Sequence, residues 1–223
     1  MGRPGADVNE IPVAPAPRRP LWLTLLCCGV LLAAFAAAVA RISNGFELWT
    51  FESLRRAQAQ QGLLRASPLA ATLSDGSRRV LWSHGMAPRA FLVDFIYTRC
   101  PTVCQALGSE YQRMQAELVH SDAPVQLLSL SFDPAHDDVP ALAGYAKLHQ
   151  AAARWWIAVP AAADSQRLLG EFGVVAVPDG FGGYVHNGAI HLLDAGGRLR
   201  EVFDYDDWPQ ALAAARQLAE AAP

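Results

Sequence analysis

Cys100 and Cys104 enclose the run Cys100-Pro101-Thr102-Val103-Cys104. Two sulfurs at that spacing can close a disulfide or grip one soft metal ion. If Cys100 sits at a helix entry and Cys104 one turn in, both side chains lie on nearly the same face. Pro101 suits a first helical turn, where its missing N–H costs nothing and its fixed φ already fits. A helix start also presents unpaired N–H groups that stabilise negative charge, lower a thiol's pKa and supply thiolate for either chemistry. One pair is too few to staple a domain of this size, which favours a reactive or metal-binding pair over an inert structural disulfide. The remaining cysteines, Cys27 and Cys28, lie in a long apolar run, where a thiol behaves as a small hydrophobe.

The elements that must position the pair follow from the pattern around it. Residues 91–97 are apolar, aromatic and β-branched and read as a buried strand; a helical pattern follows through Gln105 to Leu118. A second strand at 125–132 ends at Asp133-Pro134, and a helix at about 139–149 follows. A third strand at 155–159 leads to a helix at 164–172. Strands at 189–193 and 199–203 flank the turn signal Asp194-Ala195-Gly196-Gly197, and a last helix spans about 208–220. Upstream, 69–73 and 80–82 flank Ser74-Asp75-Gly76-Ser77 as a further hairpin. Strands alternating with helices, closed by a hairpin and helix, describe a small mixed α/β sheet.

With 223 residues and 52% hydrophobic content, the chain can form a domain of about 150 residues beyond a membrane segment. The net charge of -3 with no basic stripe argues against nucleic-acid binding. Residues 1–20 carry five prolines and are expected to be a disordered tail. Residues 21–40 carry no charge and match the roughly 20 residues that cross a bilayer. Ala38-Val39-Ala40 resembles a signal-peptidase site, but the apolar run exceeds the usual signal core of about 7–15 residues, so an uncleaved anchor is expected. Arg18 and Arg19 flank the run on one side, and Arg41, Arg55 and Arg56 follow on the other. The short N-terminal tail with its adjacent arginines tips the orientation toward an extracytoplasmic domain. Residues 46–61 read as a juxtamembrane helix with Phe46, Trp49, Phe51 and Leu54 as a partial apolar stripe. The resulting division is a tail at 1–20, a transmembrane anchor at 21–40, a juxtamembrane helix and linker at 41–68, and a folded domain at 69–223.

Four features in this order resemble the SCO/SenC family, membrane-anchored copper-binding proteins that help assemble cytochrome c oxidase. They are the strand with Tyr97-Thr98-Arg99-Cys100-Pro101-Thr102-Val103-Cys104; Ser131-Phe132-Asp133-Pro134-Ala135-His136-Asp137; Tyr184-Val185-His186 ahead of Ile190-His191-Leu192-Leu193-Asp194; and the anchor. The resemblance covers roughly residues 69–221. It implies a thioredoxin-like α/β fold with a central mixed sheet, an N-terminal hairpin extension and an N-terminal transmembrane helix. It also implies copper, Cu(I) and/or Cu(II), held by Cys100, Cys104 and His186, with Asp133 as the acidic residue at the site edge. Thiolates suit Cu(I), and an added imidazole improves the site for Cu(II).

The implied role is a copper metallochaperone in the inner membrane, its domain facing the periplasm. It would deliver copper to the dinuclear site of cytochrome c oxidase subunit II, with a periplasmic copper donor or thiol reductant as a further partner. Three departures stand out: Gln105 where the family often has proline, His191 where an aromatic is common, and Gly108 inside a helix. Residues 174–185 read as a loop that is short and glycine-rich. Rival readings are a thiol-disulfide oxidoreductase, which needs only the redox-active pair Cys100 and Cys104, a redox or copper sensor, and a thiol peroxidase.

The other polar candidates have blander readings. His191 lies an odd offset beyond His186 and points to the opposite sheet face. His84 and Met86 read as a hairpin-end loop, and His136 as a solvated neighbour of acids. His120 and His149 fall near helix C-termini, where a positive charge suits the dipole. Asp133 is either a turn cap or an influence on the site. Trp155 and Trp156 read as core and edge packing.

Overall fold

The computed structural model describes residues 20–221 apart from 44, 46–49, 84 and 87. The expected N-terminal tail, Phe46 and Trp49 of the apolar stripe, and His84 therefore lie outside the described residues. The chain divides into two compact units, Met1–Trp49 and Thr50–Pro223. The first contains helix α1, Leu21–Ile42, whose 22 residues span about 33 Å, enough for a hydrocarbon layer of about 30 Å. None of its residues is buried, and Leu21, Trp22, Leu25 and Phe35 are exposed all along it. A helix apolar on every side suits a lipid environment. It is the one described helix long and apolar enough to cross a membrane.

The second unit opens with α2, Phe51–Gln60, stapled by a reciprocal capping box between Thr50 and Ser53. This helix, which the apolar stripe marks as a juxtamembrane helix, is included in the second compact unit, Thr50–Pro223. Arg55 explains why. Its side chain is 2% exposed, and Nη1 lies 2.8 Å from Nε2 of His191 while Nη2 donates to Glu52 at 2.7 Å. The His191 ring donates from Nδ1 to the Val93 carbonyl at 3.1 Å, which leaves Nε2 as an acceptor for Arg55. Burial first, then the Arg55 charge, push the His191 pKa down to about 3, so the ring is neutral at physiological pH.

Seven strands form the main sheet, in the order β2-β1-β5-β4-β3-β8-β9. They are β1 Leu69–Leu73, β2 Arg78–Leu81, β3 Ala90–Ile96, β4 Val125–Ser131, β5 Trp155–Pro160, β8 Ile190–Asp194 and β9 Leu199–Phe203. The parallel trio β3, β4 and β5 is central, flanked by antiparallel partners. Every residue of β3 and β4 is buried, which is why both read as continuous apolar runs rather than alternating ones. Helices α3 Val103–Val119 and α4 Val139–Leu148 make the β3-to-β4 and β4-to-β5 crossovers. Helix α6, Trp208–Ala221, packs beside α3. On the other face, α5 Ala162–Phe172 brings Phe172 onto Phe95 and His191, next to α2. The fold is thioredoxin-like, with the β1–β2 hairpin as its N-terminal extension.

Two local expectations are corrected. Residues 174–185 are not only loop: β6 Ala176–Pro178 and β7 Tyr184–His186 form a separate antiparallel ribbon. Three-residue strands joined by glycines leave too little alternation to be read as strand. His149 is not a charged partner of a helix dipole. Its ring is buried against Tyr145 with centroids 4.5 Å apart, and burial lowers its pKa, which favours the neutral form. Gly108 on α3 makes this possible, because a Cβ at that position would fall within the His149 ring.

Candidate metal centre

Strand β3 delivers the chain to the site and a turn reverses it. The Cys100 N–H donates to the Tyr97 carbonyl at 3.1 Å, and α3 does not begin until Val103, with Thr102 in the N-cap position. Pro101 therefore precedes the helix instead of occupying its first turn, and Cys100 is not a helical residue. The sulfurs still converge. The Cys104 N–H, in the first turn of α3, points back to Cys100 Sγ at 3.4 Å, so the sulfur occupies the place of a capping oxygen.

That geometry splits the two thiols, where the sequence suggested that a helix start would lower both. Burial raises the Cys100 pKa, but hydrogen bonds from the Cys104 thiol, the Cys104 N–H and Thr102 outweigh it, and the net shift is downward. Cys104 is pushed well up, by burial first and by its hydrogen bond to Cys100 second. Of the two sulfurs, Cys100 ionises the more readily and Cys104 holds its proton the more tightly. Both are free thiols in the structure.

His186 comes to them from β7. Its Nε2 lies 3.6 Å from Cys104 Sγ, and the two sulfurs and one ring nitrogen all lie within 4.8 Å of one another. Three donors at about 2.0–2.3 Å from one ion, arranged as a triangle, stand about 3.5–4 Å apart. The observed spacing fits a shared low-coordinate ion once the widest separation, up to 4.8 Å, closes by about 1 Å. Burial lowers the His186 pKa and so favours the neutral ring a ligand needs. Its ring stands edge-on to Phe132 and Tyr97, with centroids at 5.2 and 6.2 Å. Its Nδ1 is buried, and the nearby Asn187 backbone partly opposes the downward shift that burial causes.

Several residues that place His186 carried no assigned role in the sequence reading. Tyr97, the residue after β3, donates from its hydroxyl to the Tyr184 carbonyl at 3.3 Å and accepts from the Tyr184 N–H at 3.2 Å. Asp179 accepts from the N–H groups of Phe181 and Gly183 at 2.7 and 2.9 Å, which shapes the glycine-rich turn. Asn187 accepts from the Val175 N–H at 2.9 Å and ties the ribbon's base. At Gly188 a Cβ would come within 2.5 Å of Val103 Cγ2, so only glycine lets this segment pass the start of α3. The one available signal was glycine density beside a histidine.

Asp133 is 3% exposed, and its carboxylate is taken up by Arg99 and His136. It binds Arg99 Nη2 at 3.0 Å and His136 Nδ1 at 2.9 Å, and its carbonyl accepts from the N–H groups of His136 and Asp137. It thus organises a turn and holds the residue before Cys100. Asp137 does similar work on the other side, accepting from Thr98 and Ser131 at 2.6 Å each.

Behind α3 lies a group that the sequence reading passed over. Asp94, central in β3, is fully buried, and neither carboxyl oxygen has a hydrogen-bond partner among the described residues. Burial pushes its pKa up to about 7, partly opposed by Ser129 and Tyr111. Ser129 Oγ already accepts from Trp155 Nε1 at 2.9 Å. Asp94 adds to the forces holding the Cys104 proton in place, after burial and the neighbouring thiol.

Comparison with known proteins places these features in a family. The family model described as SCO1/SenC matches residues 72–221. The SCO1 protein homolog of Bacillus subtilis (strain 168) is 24% identical over 129 residues, covering 52% of this chain and 66% of that relative, just under two thirds of its length. Among solved structures, Bradyrhizobium japonicum ScoI with copper bound superposes with a TM-score of 0.59 at 22% identity, over 70% of this chain and 99% of that one. BsSco, a member of the Sco family of cytochrome c oxidase assembly proteins in which a disulfide switch was identified, gives a TM-score of 0.62 at 17% identity, over 71% and 95%. Arabidopsis thaliana ScoI with copper bound gives 0.57 at 16%, over 68% and 98%.

Proposed function

The chain belongs to the SCO1/SenC family, and from that premise we propose that it is a membrane-anchored copper metallochaperone serving cytochrome c oxidase assembly. The observation that carries the reading is the convergence of Cys100, Cys104 and His186, with all three donor atoms within 4.8 Å. Copper is the cargo. Cys100, the sulfur with the depressed pKa, gives up its proton the more readily; Cys104 releases its own on joining, and the His186 ring, whose pKa burial lowers, completes the set. Two soft sulfurs and one imidazole suit both Cu(I) and Cu(II), and three-coordination leaves room for a recipient's ligand to enter before one of these leaves. Asp133 acts at one remove by holding Arg99. Helix α1 anchors the chain in the inner membrane with the folded unit in the periplasm, and the recipient is the dinuclear copper site of oxidase subunit II.

A second reading has its own support in the unequal thiols. As a thiol-disulfide reductase, Cys100 thiolate attacks a target disulfide and one target sulfur leaves as thiolate. Cys104, giving up its proton, then attacks Cys100 Sγ and the second target sulfur leaves, so the target gains two electrons and a Cys100–Cys104 disulfide remains.

Full-length protein in non-ionic detergent, with His186→Ala as its partner, separates the readings. About one copper per parent chain, with a sulfur-to-copper charge-transfer band lost or shifted in the variant, supports the chaperone. Absence of tight copper, with disulfide turnover equal in parent and variant, overturns it in favour of the reductase.

A further inference from the structure

The ribbon that carries His186 has a second face. Along β7 the side chains alternate, and Tyr184 and His186 point toward the folded unit, one against Tyr97 and the other against Cys104. Val185, between them, points outward and is 69% exposed. The register sets Val177 of β6 directly opposite Val185, at 53% exposure, and the exposed Val175, two residues earlier, falls on the same face. Phe181, in the turn that joins the two strands, is 96% exposed. Apolar side chains exposed one at a time are ordinary, as are Val80, Val119 and Leu148 on three different elements. Three valines and a phenylalanine gathered on one small ribbon are not.

What covers this face follows from the route to the ion. Cys100 and Cys104 are both buried, and of the three donors only His186 is partly open. A ligand entering the coordination sphere therefore passes the ribbon, and the protein that carries that ligand lies against it. The face is ready for such a contact without rearrangement. Asp179 holds the turn through the N–H groups of Phe181 and Gly183, the Tyr97 hydroxyl holds the backbone of Tyr184, and Asn187 ties the base, so little order remains to be imposed on binding. The rim is polar. A cavity beside the turn is lined by Arg99 and His136 together with the turn glycines, and Asp133 takes up both of those side chains. An apolar centre with a polar edge is the make-up of a protein–protein interface.

We propose that the outer face of the β6–β7 ribbon, formed by Val175, Val177 and Val185 with Phe181 at its tip, is where the protein that receives the copper docks, and that the recipient meets it with an apolar patch beside its own copper ligands. The inference rests on the reading of the chain as a copper metallochaperone. Four side chains make a contact far smaller than the roughly 1,200–2,000 Å² of stable complexes, which suits a partner that leaves once the ion has moved. Because the contact is apolar, salt screens it little, whereas an encounter guided by charge weakens steeply as ionic strength rises.

The test uses the full chain in phosphatidylcholine nanodiscs, which keep detergent off the apolar face, loaded with Cu(I). The acceptor is the isolated copper domain of oxidase subunit II, copper-free and reduced. Val177→Thr/Phe181→Ser/Val185→Thr makes the face polar while keeping β-branched residues in the strands; Val80→Thr/Val119→Thr/Leu148→Ser does the same to exposed side chains elsewhere. Copper affinity is measured by competition with a chromophoric chelator, and transfer as a function of acceptor concentration. The ribbon variant should keep the parent's copper affinity yet need about tenfold more acceptor for half-maximal transfer, at low and high salt alike, with the control variant matching the parent. Equal transfer by the ribbon and control variants, beside a parent that delivers copper, overturns the docking face alone. A parent that holds no copper or passes none to the acceptor overturns the metallochaperone reading, and the docking face with it. If the triple variant loses copper affinity, Phe181→Ser, which leaves both strands untouched, carries the same comparison, and transfer equal to the parent's then overturns the proposal.

Discussion

Replacing Asp94 with Asn should change how the stability of the fold depends on pH, in favour of the variant as pH rises. The carboxyl is fully buried, its burial only partly opposed by the nearby Ser129 and Tyr111 hydroxyls, and its folded pKa stands at about 7 against a reference of 3.8. For an acid whose pKa is raised on folding, the folded state holds a proton that the unfolded chain has already lost. The associated stability is complete below pH 3.8 and disappears as pH rises toward about 7, beyond which the loss is constant. A shift of about three units corresponds to about 4 kcal/mol, at 1.36 kcal/mol per unit.

Asn cannot titrate. Any packing or desolvation cost of its amide is the same at both ends of the range and cancels in the comparison. Urea unfolding of the copper-free, reduced protein, followed by tryptophan fluorescence at pH 4 and pH 8, measures the difference. The advantage of Asp94→Asn over the parent should grow by about 4 kcal/mol between the two pH values, or by roughly 8–16 °C in Tm for a unit of this size. A stability gap equal at pH 4 and pH 8 would show that the carboxyl titrates normally and that its burial carries no penalty.

Tyr97→Phe removes both hydrogen bonds to the Tyr184 backbone, each worth about 1 kcal/mol net, and should weaken copper about tenfold by loosening His186. Competition with a chromophoric Cu(I) chelator measures this, and an unchanged affinity would remove Tyr97 from the positioning of the ribbon. The unequal thiols predict that ultraviolet thiolate absorbance in the metal-free reduced protein begins to rise at a lower pH than for an ordinary thiol, and that this early rise vanishes in Cys100→Ala but not in Cys27→Ala. If the early thiolate instead persists in Cys100→Ala and is lost in Cys104→Ala, the assignment of the ionising sulfur is reversed.

Much of this protein could be read along the chain. A cysteine pair behind an apolar strand, an Asp-Pro turn and a later histidine are local signals, and their order carries the family resemblance. The alternation of strand and helix was equally legible, because β3 and β4 are buried on both faces and helix periods separate them. The uncharged stretch of α1 shows itself by length and composition alone.

Other features depend on what the fold brings together. Arg55 looks like a charge beside a membrane segment until His191, far along the sequence, accepts its hydrogen bond inside the unit. Gly108 looks like a weakness in α3 until the His149 ring is found in the space a Cβ would take. The inequality of the thiols has the same origin. One sulfur accepts hydrogen bonds at a bend ahead of the helix and the other is enclosed by the core, and neither burial nor hydrogen-bond direction is written in the spacing of two cysteines. Sequence determined which donors exist; the ribbon pinned by Tyr97 decided that the imidazole meets the sulfurs, because a distance across 82 residues is set by packing rather than by chain order.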